Sequence, residues 1–454
     1  MKRSIILLSL TIIANLFAQS PGEAVAFLDN TNGSGVRAMS MGNAFTAVAD
    51  DWSALYWNPA GLTLLESSEI SGSLYHTQFR NNANFAGQME MGDDVFTQFE
   101  SFGLAYKFPT TRGSFVIALG RYNFKDYDDY LSFSGFNGSS NGLAFDLGEE
   151  QEEYFDFDRD VWQTEQILQN GNLGAWSFGF GLAMSPQFSA GLSIHAFTGG
   201  SQYAFMFTQE DVDQLYETYP ANYDYYQVNQ TIDSEFSGWG ATLGAIFNLS
   251  DELRAGISID FPHSLGVHEL YSSNDLLIFD DDYESAFDYG TGEWDYMIRY
   301  PAKLSGGVAI DSDKLLLAAS ASYRDWTQTR FERPDAYGMS EDYESLLAEN
   351  QYFTSDFRAV LSYNIGGELR FTGPNIKIRG GYQINPSPLA DAYETLDRTT
   401  ISGGFGYALD ASTSFNVSLS RGFWKRFSED GWTPGGTEET IETDRVLAGI
   451  SYKF

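Results

Sequence analysis

Side chains able to carry catalysis are sparse in this chain, and their spacing argues against an active site. Its 454 residues hold four histidines, His76, His195, His263 and His268, and no cysteine. His263 and His268 are five apart in a strand-like run, where alternation sends them to opposite faces, so they make no metal pair. No HExxH helix, Walker loop or nucleophile elbow occurs. Gly403-Gly404-Phe405-Gly406 sits in an alternating stretch and not at a strand-to-helix turn, which leaves a phosphate without a cradle. The lack of cysteine removes disulfides, thiolate metal sites and N-terminal lipid attachment. Asp156, Asp158 and Asp160, and the run Asp280 to Asp282, offer the oxygen ligands Ca²⁺ favours. The first group lacks the glycine and distal glutamate of an EF-hand loop, so solvated charge is the better account. No enzyme, cofactor or resident metal is expected; the enzymatic alternative is a hydrolase with dispersed Ser, His and acidic groups. A formal net charge of −36 excludes nucleic-acid binding through a basic surface.

The elements that would position any site are strands. The last ten residues, Arg445 to Phe454, place Val446, Ala448, Ile450, Tyr452 and Phe454 on one face and Arg445, Leu447, Gly449, Ser451 and Lys453 on the other. An apolar-out strand that ends the chain on an aromatic is the signature of a transmembrane β-barrel. From residue 98 onward such strands recur, with short turns at 109–112, 185–187, 250–252, 311–314, 372–375 and 410–413. Long connections alternate with them at about 125–172, 200–234, 271–291, 332–352, 386–396 and 428–440. Outer-membrane barrels have short periplasmic turns and long extracellular loops, so the pattern also assigns sidedness. The apolar faces read Phe102, Leu104, Tyr106, Phe108; Phe188, Ala190, Leu192, Ile194; and Leu253, Ala255, Ile257, Ile259. With one strand near 66–82 the count is seven hairpins: an all-β fold, a 14-stranded antiparallel transmembrane barrel.

At the other end Lys2 and Arg3 precede an apolar run, Ile5 to Ala14, and Ala18 offers a cleavage site, so residues 1–18 read as a secretory signal. That run is too short to span, and no later stretch approaches the roughly 20 apolar residues a spanning helix needs. The expected place is therefore the bacterial outer membrane. Residues 19–65 do not alternate. They are rich in Gly and Ala, too apolar for a solvated tail, and the lumen of the 66–454 barrel is where they can bury. Pro59 biases Asn58 away from helix and Gly61 permits a reversal, so Asn58-Pro59-Ala60-Gly61 predicts a fixed turn.

These residues carry a resemblance. RAMSMGNAFTAVADDWSALYWNPAGL at 37–62, YPAKLSGGVAI at 300–310 followed by LLLAASASYRDWTQTRF, FRAVLSYNIGGELRFTGPNIKIRGGYQINPSPL at 357–389 and the C-terminal strand together resemble the FadL/TodX family of outer-membrane transporters for hydrophobic compounds. The resemblance implies a 14-stranded barrel plugged by an N-terminal hatch, whose Asn-Pro-Ala turn maps here onto Asn58, Pro59 and Ala60. It also implies a kink in the third strand, where the wall opens sideways to lipid. That strand is expected at about Gly113 to Phe124, with Gly120 as the candidate kink. Long Asp- and Tyr-rich outer loops depart from the family pattern.

Three ligand features follow. Val212, Leu215, Tyr216 and Tyr219 stand at helical spacing in the loop 200–234, with Thr208 and Asp211 at capping-box spacing. They form either an outer capture groove or contacts that glue the loops over the mouth. Tyr343, Leu346 and Leu347 suggest a second loop helix. Strand parity turns Lys303 inward, about 20 Å from the periplasmic rim at roughly 3.3 Å per residue, as a lumenal cation for a ligand carboxylate or a partner for a lumenal acid. Arg324, Arg358, Lys377 and Arg379 share that parity. The expectation is passive uptake of a hydrophobic small molecule such as a long-chain fatty acid or aromatic hydrocarbon, with hatch rearrangement and sideways or downward release. Outer-membrane lipid and the small-molecule ligand are the expected partners. The rival is the same barrel as a secretion or surface-assembly partner for another protein.

Overall fold

The computed structural model describes residues 20–29, 32–148, 153–334, 341–371, 373, 375–392 and 396–454; the expected signal peptide, 1–18, lies outside the described residues. The N-terminal lead holds three short helices, α1 (Pro21–Leu28), α2 (Val36–Ser40) and α3 (Ala54–Trp57), and a 3-10 turn at Pro59–Leu64. The wall begins with the hairpin β1 (Glu69–Phe85) and β2 (Gln88–Phe108). Its third strand is split into β3 (Phe115–Asp126) and β4 (Asp129–Asn137), followed by a small hairpin, β5 (Ala144–Asp146) and β6 (Tyr154–Asp156). β7 (Val161–Ser185), β8 (Phe188–Glu210) and β9 (Tyr223–Asn248) are long and unbroken. The next three wall strands are each split: β10 (Leu253–Asp260) with β11 (His263–Phe279), β12 (Glu284–Tyr300) with β13 (Lys303–Asp311), and β14 (Leu315–Asp325) with β15 (Arg330–Glu332). After α4 (Glu341–Ala348) and α5 (Tyr352–Asp356) come β16 (Ala359–Phe371), β17 (Ile376–Asn385), β18 (Arg398–Ala408), β19 (Thr413–Ser428) and β20 (Thr437–Lys453).

β20 pairs with β1 from Glu69↔Lys453 to Asn84↔Glu438, which closes a barrel of 14 wall strands. Closure is what a sheet in hydrocarbon requires, because an open edge would leave N–H and C=O groups with no water to bind. The alternation read from the sequence is the inside-outside pattern of the wall. On β20, Val446, Ile450 and Tyr452 are exposed while Leu447 is fully buried; on β8, Ile194 is exposed and Ser193 and His195 are buried. No described helix is long and apolar enough to cross a membrane.

Four of the six long connections are shorter than their spacing predicted; those expected at 332–352 and 386–396 are not. Between residues 200 and 234 only 211–222 leave the sheet, and between 271 and 291 only 280–283 do. Antiparallel strands go on pairing above the lipid, where both faces can be polar and periodicity no longer marks them. These extensions make a raised outer wall. Its inner face holds an aromatic cluster of Phe207, Tyr226 and Leu277 with Phe145, Phe157 and Trp432. Residues from the second and the last outer connections thus roof one side of the mouth.

Candidate functional site

Residues 32–65 lie in the periplasmic half of the lumen, nearly all buried. The wall admits them because many of its inward positions at that level are glycines. A Cβ on Gly381 would strike the main chain of Met41 and Gly42, one on Gly191 the main chain of Pro59 and Ala60, and one on Gly103 the ring of Trp52. Backbone therefore meets backbone around the plug. Asn58 is fully buried: its Oδ1 accepts from Ala60 N at 3.2 Å, and its Nδ2 donates to Thr46 O at 2.9 Å and to Ala245 O of β9 at 3.0 Å. Asn58 thus caps the Pro59–Leu64 turn and ties it to the wall. A Cβ on Gly61 would overlap Ala49 O, which explains why glycine stands there.

Buried carboxylates of the wall supply the other ties, and sequence reading missed them. Glu368 accepts from Arg37 of α2 at 3.0 Å and from wall Arg379 and Arg370 at 2.7 and 2.8 Å. Glu100 accepts from Gly35 N at 3.1 Å and Glu69 from Trp52 N at 2.6 Å. Acids at inward positions a few residues above the short turns were the available signal. Removing one partner of a buried ion network leaves an uncompensated charge and costs about 3–5 kcal/mol.

Above the plug lies a cavity of about 1270 Å³. α1 stands inside it, capped by Ser20 and Glu23 in a reciprocal box, with Phe27 edge-on to Tyr127 and Phe236. Val25, Phe79, Phe96 and Tyr203 add apolar lining. Of the lining arginines, Arg445 pairs with Asp126 and Arg426 with Asp129 and Glu439. Arg398 has no ion pair among the described residues; its guanidinium lies 4.2 Å from the Trp424 ring centroid. The buried Arg398 Nε and the Nδ2 of Asn385, its neighbour across the β17–β18 ladder, have no hydrogen-bond partner among the described residues. Lys125 Nζ donates to Asp29 O at 2.7 Å nearby.

The wall beside this cavity is open. β2 pairs with β3 only over Ser101–Phe108, β3 slips register between Asn123 and Lys125, and β4 pairs with β7 alone. β4 has instead folded inward: Leu131 and Phe133 pack on Ala83 and Phe85, and Ser132 and Ser134 donate to the Glu90 carboxylate. A depression of about 620 Å³ marks the resulting gap between β2 and β7. Phe96 and Asp128 line both this depression and the lumenal cavity. A polar latch crosses it: Gln98 Nε2 donates to Asp128 Oδ2 at 2.7 Å, Asn172 Nδ2 to Gln98 Oε1 at 2.9 Å, and Gly171 N to Asp128 Oδ1 at 3.3 Å.

Several expected positions move. Gly120 is not at the irregularity; it is paired on both sides, with Gly103 and Ser177, and its missing side chain makes room for Trp52. The break falls instead at Phe124 and at Tyr127-Asp128, where no glycine advertises it. Val212, Leu215, Tyr216 and Tyr219 do not form a helix, because Gln214 takes a positive φ and Asp211 clamps Leu215 N and Tyr216 N as a turn. Thr208 belongs to β8, so no capping box forms. Val212, Leu215 and Tyr219 are exposed, whereas Tyr216 packs edge-on against Phe157 and joins the roof. Lys303 is inward but pairs with Asp260 at 3.3 Å and lies over the Tyr56 ring, and it does not line the cavity. The loop helix at Tyr343 and Leu346 is present as α4, with Tyr343 stacked on Trp294. Among the described residues no His, Cys or acidic cluster is arranged to hold a metal; Asp158 instead pairs with Arg159, whose guanidinium and the Ser140 hydroxyl hold its carboxyl below the usual range against the opposing pull of burial.

No protein-family model and no curated protein matches the sequence. Solved structures do. The CymD monoaromatic hydrocarbon channel is 14% identical, with 94% of this chain and 98% of that one covered and a TM-score of 0.56. The Ralstonia pickettii toluene transporter TbuX is 14% identical, with 94% and 99% covered and a TM-score of 0.55. A Pseudomonas aeruginosa FadL homologue is also 14% identical, with 94% and 98% covered and a TM-score of 0.57. The closed barrel described above is accordingly the fold of the FadL and TodX outer-membrane proteins, carried by a sequence only 14% identical to those structures.

Proposed function

We propose that this barrel is a passive bacterial outer-membrane channel for hydrophobic and amphipathic small molecules, which occupy the lumenal cavity and leave sideways through the gap between β2 and β7. The observation that carries the reading is the continuity of cavity and wall gap at Phe96 and Asp128. An apolar solute gains little in a water-filled pore, whereas burial against Phe27, Phe79 and Tyr203 returns roughly 25 cal/mol per Å² of apolar surface. The hydrocarbon and toluene carriers of the same fold support the solute class.

Arg398 narrows it. A guanidinium with no ion pair among the described residues, next to Asn385, suits a ligand that is apolar at one end and anionic at the other. In cells depleted of other routes, the barrel is expected to speed uptake of long-chain or aromatic carboxylates; no acceleration for any member of a broad hydrophobic panel would remove the proposal. In the same assay Arg398→Leu is expected to lower carboxylate uptake at subsaturating concentration by about tenfold, the worth of one charge-assisted contact, and to leave uptake of a neutral hydrocarbon of equal size unchanged.

A further inference from the structure

We propose that the outer halves of the seventh and eighth wall strands, His263 to Tyr300, form a flap hinged at Pro262 and Pro301. Below the hinge Asp260 pairs with Lys303, and above it His263 pairs with Tyr300. The register is the same on both sides, so Pro262 stands directly opposite Pro301 and Phe261 opposite Ala302. Neither proline has an N–H to give, and all four residues fall outside the strands.

The interruption runs on into the neighbouring strands at the same level. Toward β9 the ladder reaches Asp260↔Thr242, extends by the bond from Phe261 N to Ala241 O, and resumes one residue out of step at Leu265↔Gly238. Toward the ninth strand, β14 ends at Asp325, a 3-10 turn intervenes at Trp326–Gln328, and β15 takes up pairing with β12 at Arg330↔Arg299. A seam therefore crosses three strands, while β7, β8 and β9 pass the same height without a break. Side chains join the flap to β8 on the inner side: His263 stacks between Phe197 at 5.1 Å and Tyr300 at 4.6 Å. A sheet bends where its ladder is missing, and stacked rings can slide where hydrogen bonds cannot.

The flap carries part of the cavity. Glu269 and Tyr271 of β11 line it, six and eight residues beyond His263. Tilting the flap outward would widen the cavity on that wall without moving the plug or the gap at β2. The hinge itself stands on the strand pairing alone; only its effect on uptake rests on the channel reading above.

Amide hydrogen exchange on the purified barrel tests the two apart. Amides of 264–270 and 294–299 are expected to exchange about tenfold faster than those of Ala196 to Tyr203, which lie at a similar height in an unbroken strand, because local opening follows the weakest ladder. Equal protection in the two regions would overturn the hinge. Pro262→Val with Pro301→Val restores two donors and is expected to raise protection of the flap and to slow uptake severalfold with ligand affinity held. Raised protection with unchanged uptake would leave a hinge that serves no transport and would overturn its proposed role. If the double variant fails to fold, the exchange pattern of the unaltered barrel still decides.

Discussion

Gly381→Val is expected to expel the plug or abolish folding, while Gly380→Val, one residue away, leaves the barrel intact. The contrast isolates the hatch contact from strand propensity. A Cβ at Gly381 collides with the main chain of Met41 and Gly42, whereas at Gly380 the nearest atom is Ser402 O at 3.9 Å. Overpacking costs about 1–3 kcal/mol where side chains can shift. Here both colliding surfaces are backbone, so no rotamer change relieves them. The plug cannot simply slide away either, since Arg37 is held by Glu368 of β16 and Asn58 by β9. Gly191→Val, against Pro59 and Ala60, should behave alike. Planar-bilayer conductance and heat-modifiable mobility report the outcome: Gly381→Val opens an ion-conducting pore or fails to fold. Equal stability and conductance in Gly380→Val and Gly381→Val would show that the plug is loosely seated.

The same glycines explain what could be read from the chain before its fold was known. Strand alternation is a local property, so the C-terminal strand, the wall count and the short turns were legible from residue types alone. The inward glycines were visible too, but nothing local distinguishes one that admits a plug from one that bends a strand. Gly120 illustrates this: it was expected at a kink, and it is a seat for Trp52. The true break at Phe124 and Tyr127-Asp128 depends on β4 finding Phe85 and Glu90 on the adjoining β1–β2 hairpin, contacts more than 40 residues apart in sequence. Arg398 was missed for a related reason. What singles it out is that no described acid forms an ion pair with it, which only the packed barrel reveals. Lys303, by contrast, had the expected direction and was claimed by Asp260.

The route of release gives the second large effect. Thiols introduced as Gln98→Cys and Asn172→Cys face each other across the gap, and the chain has no cysteine of its own to compete. Tethering them with a short bifunctional maleimide is expected to cut uptake by about tenfold or more, as closure of a transport step does when it is limiting. Either single cysteine treated with the same reagent should retain most activity. The competing path runs downward past the plug. Thr63→Cys and Ser189→Cys, whose hydroxyl oxygens lie 2.9 Å apart, would place a disulfide between the Pro59–Leu64 turn and β8. That bond should leave uptake nearly unchanged if solutes leave sideways. The reverse result, inhibition by the plug disulfide and indifference to the tether, would place the exit in the periplasm and refute the lateral route. Inhibition by both would mean that the turn at Asn58 must move before the gap opens. The first hairpin would then transmit that motion, since Glu69 and Glu100 join the plug to β1 and β2, and β2 edges the gap.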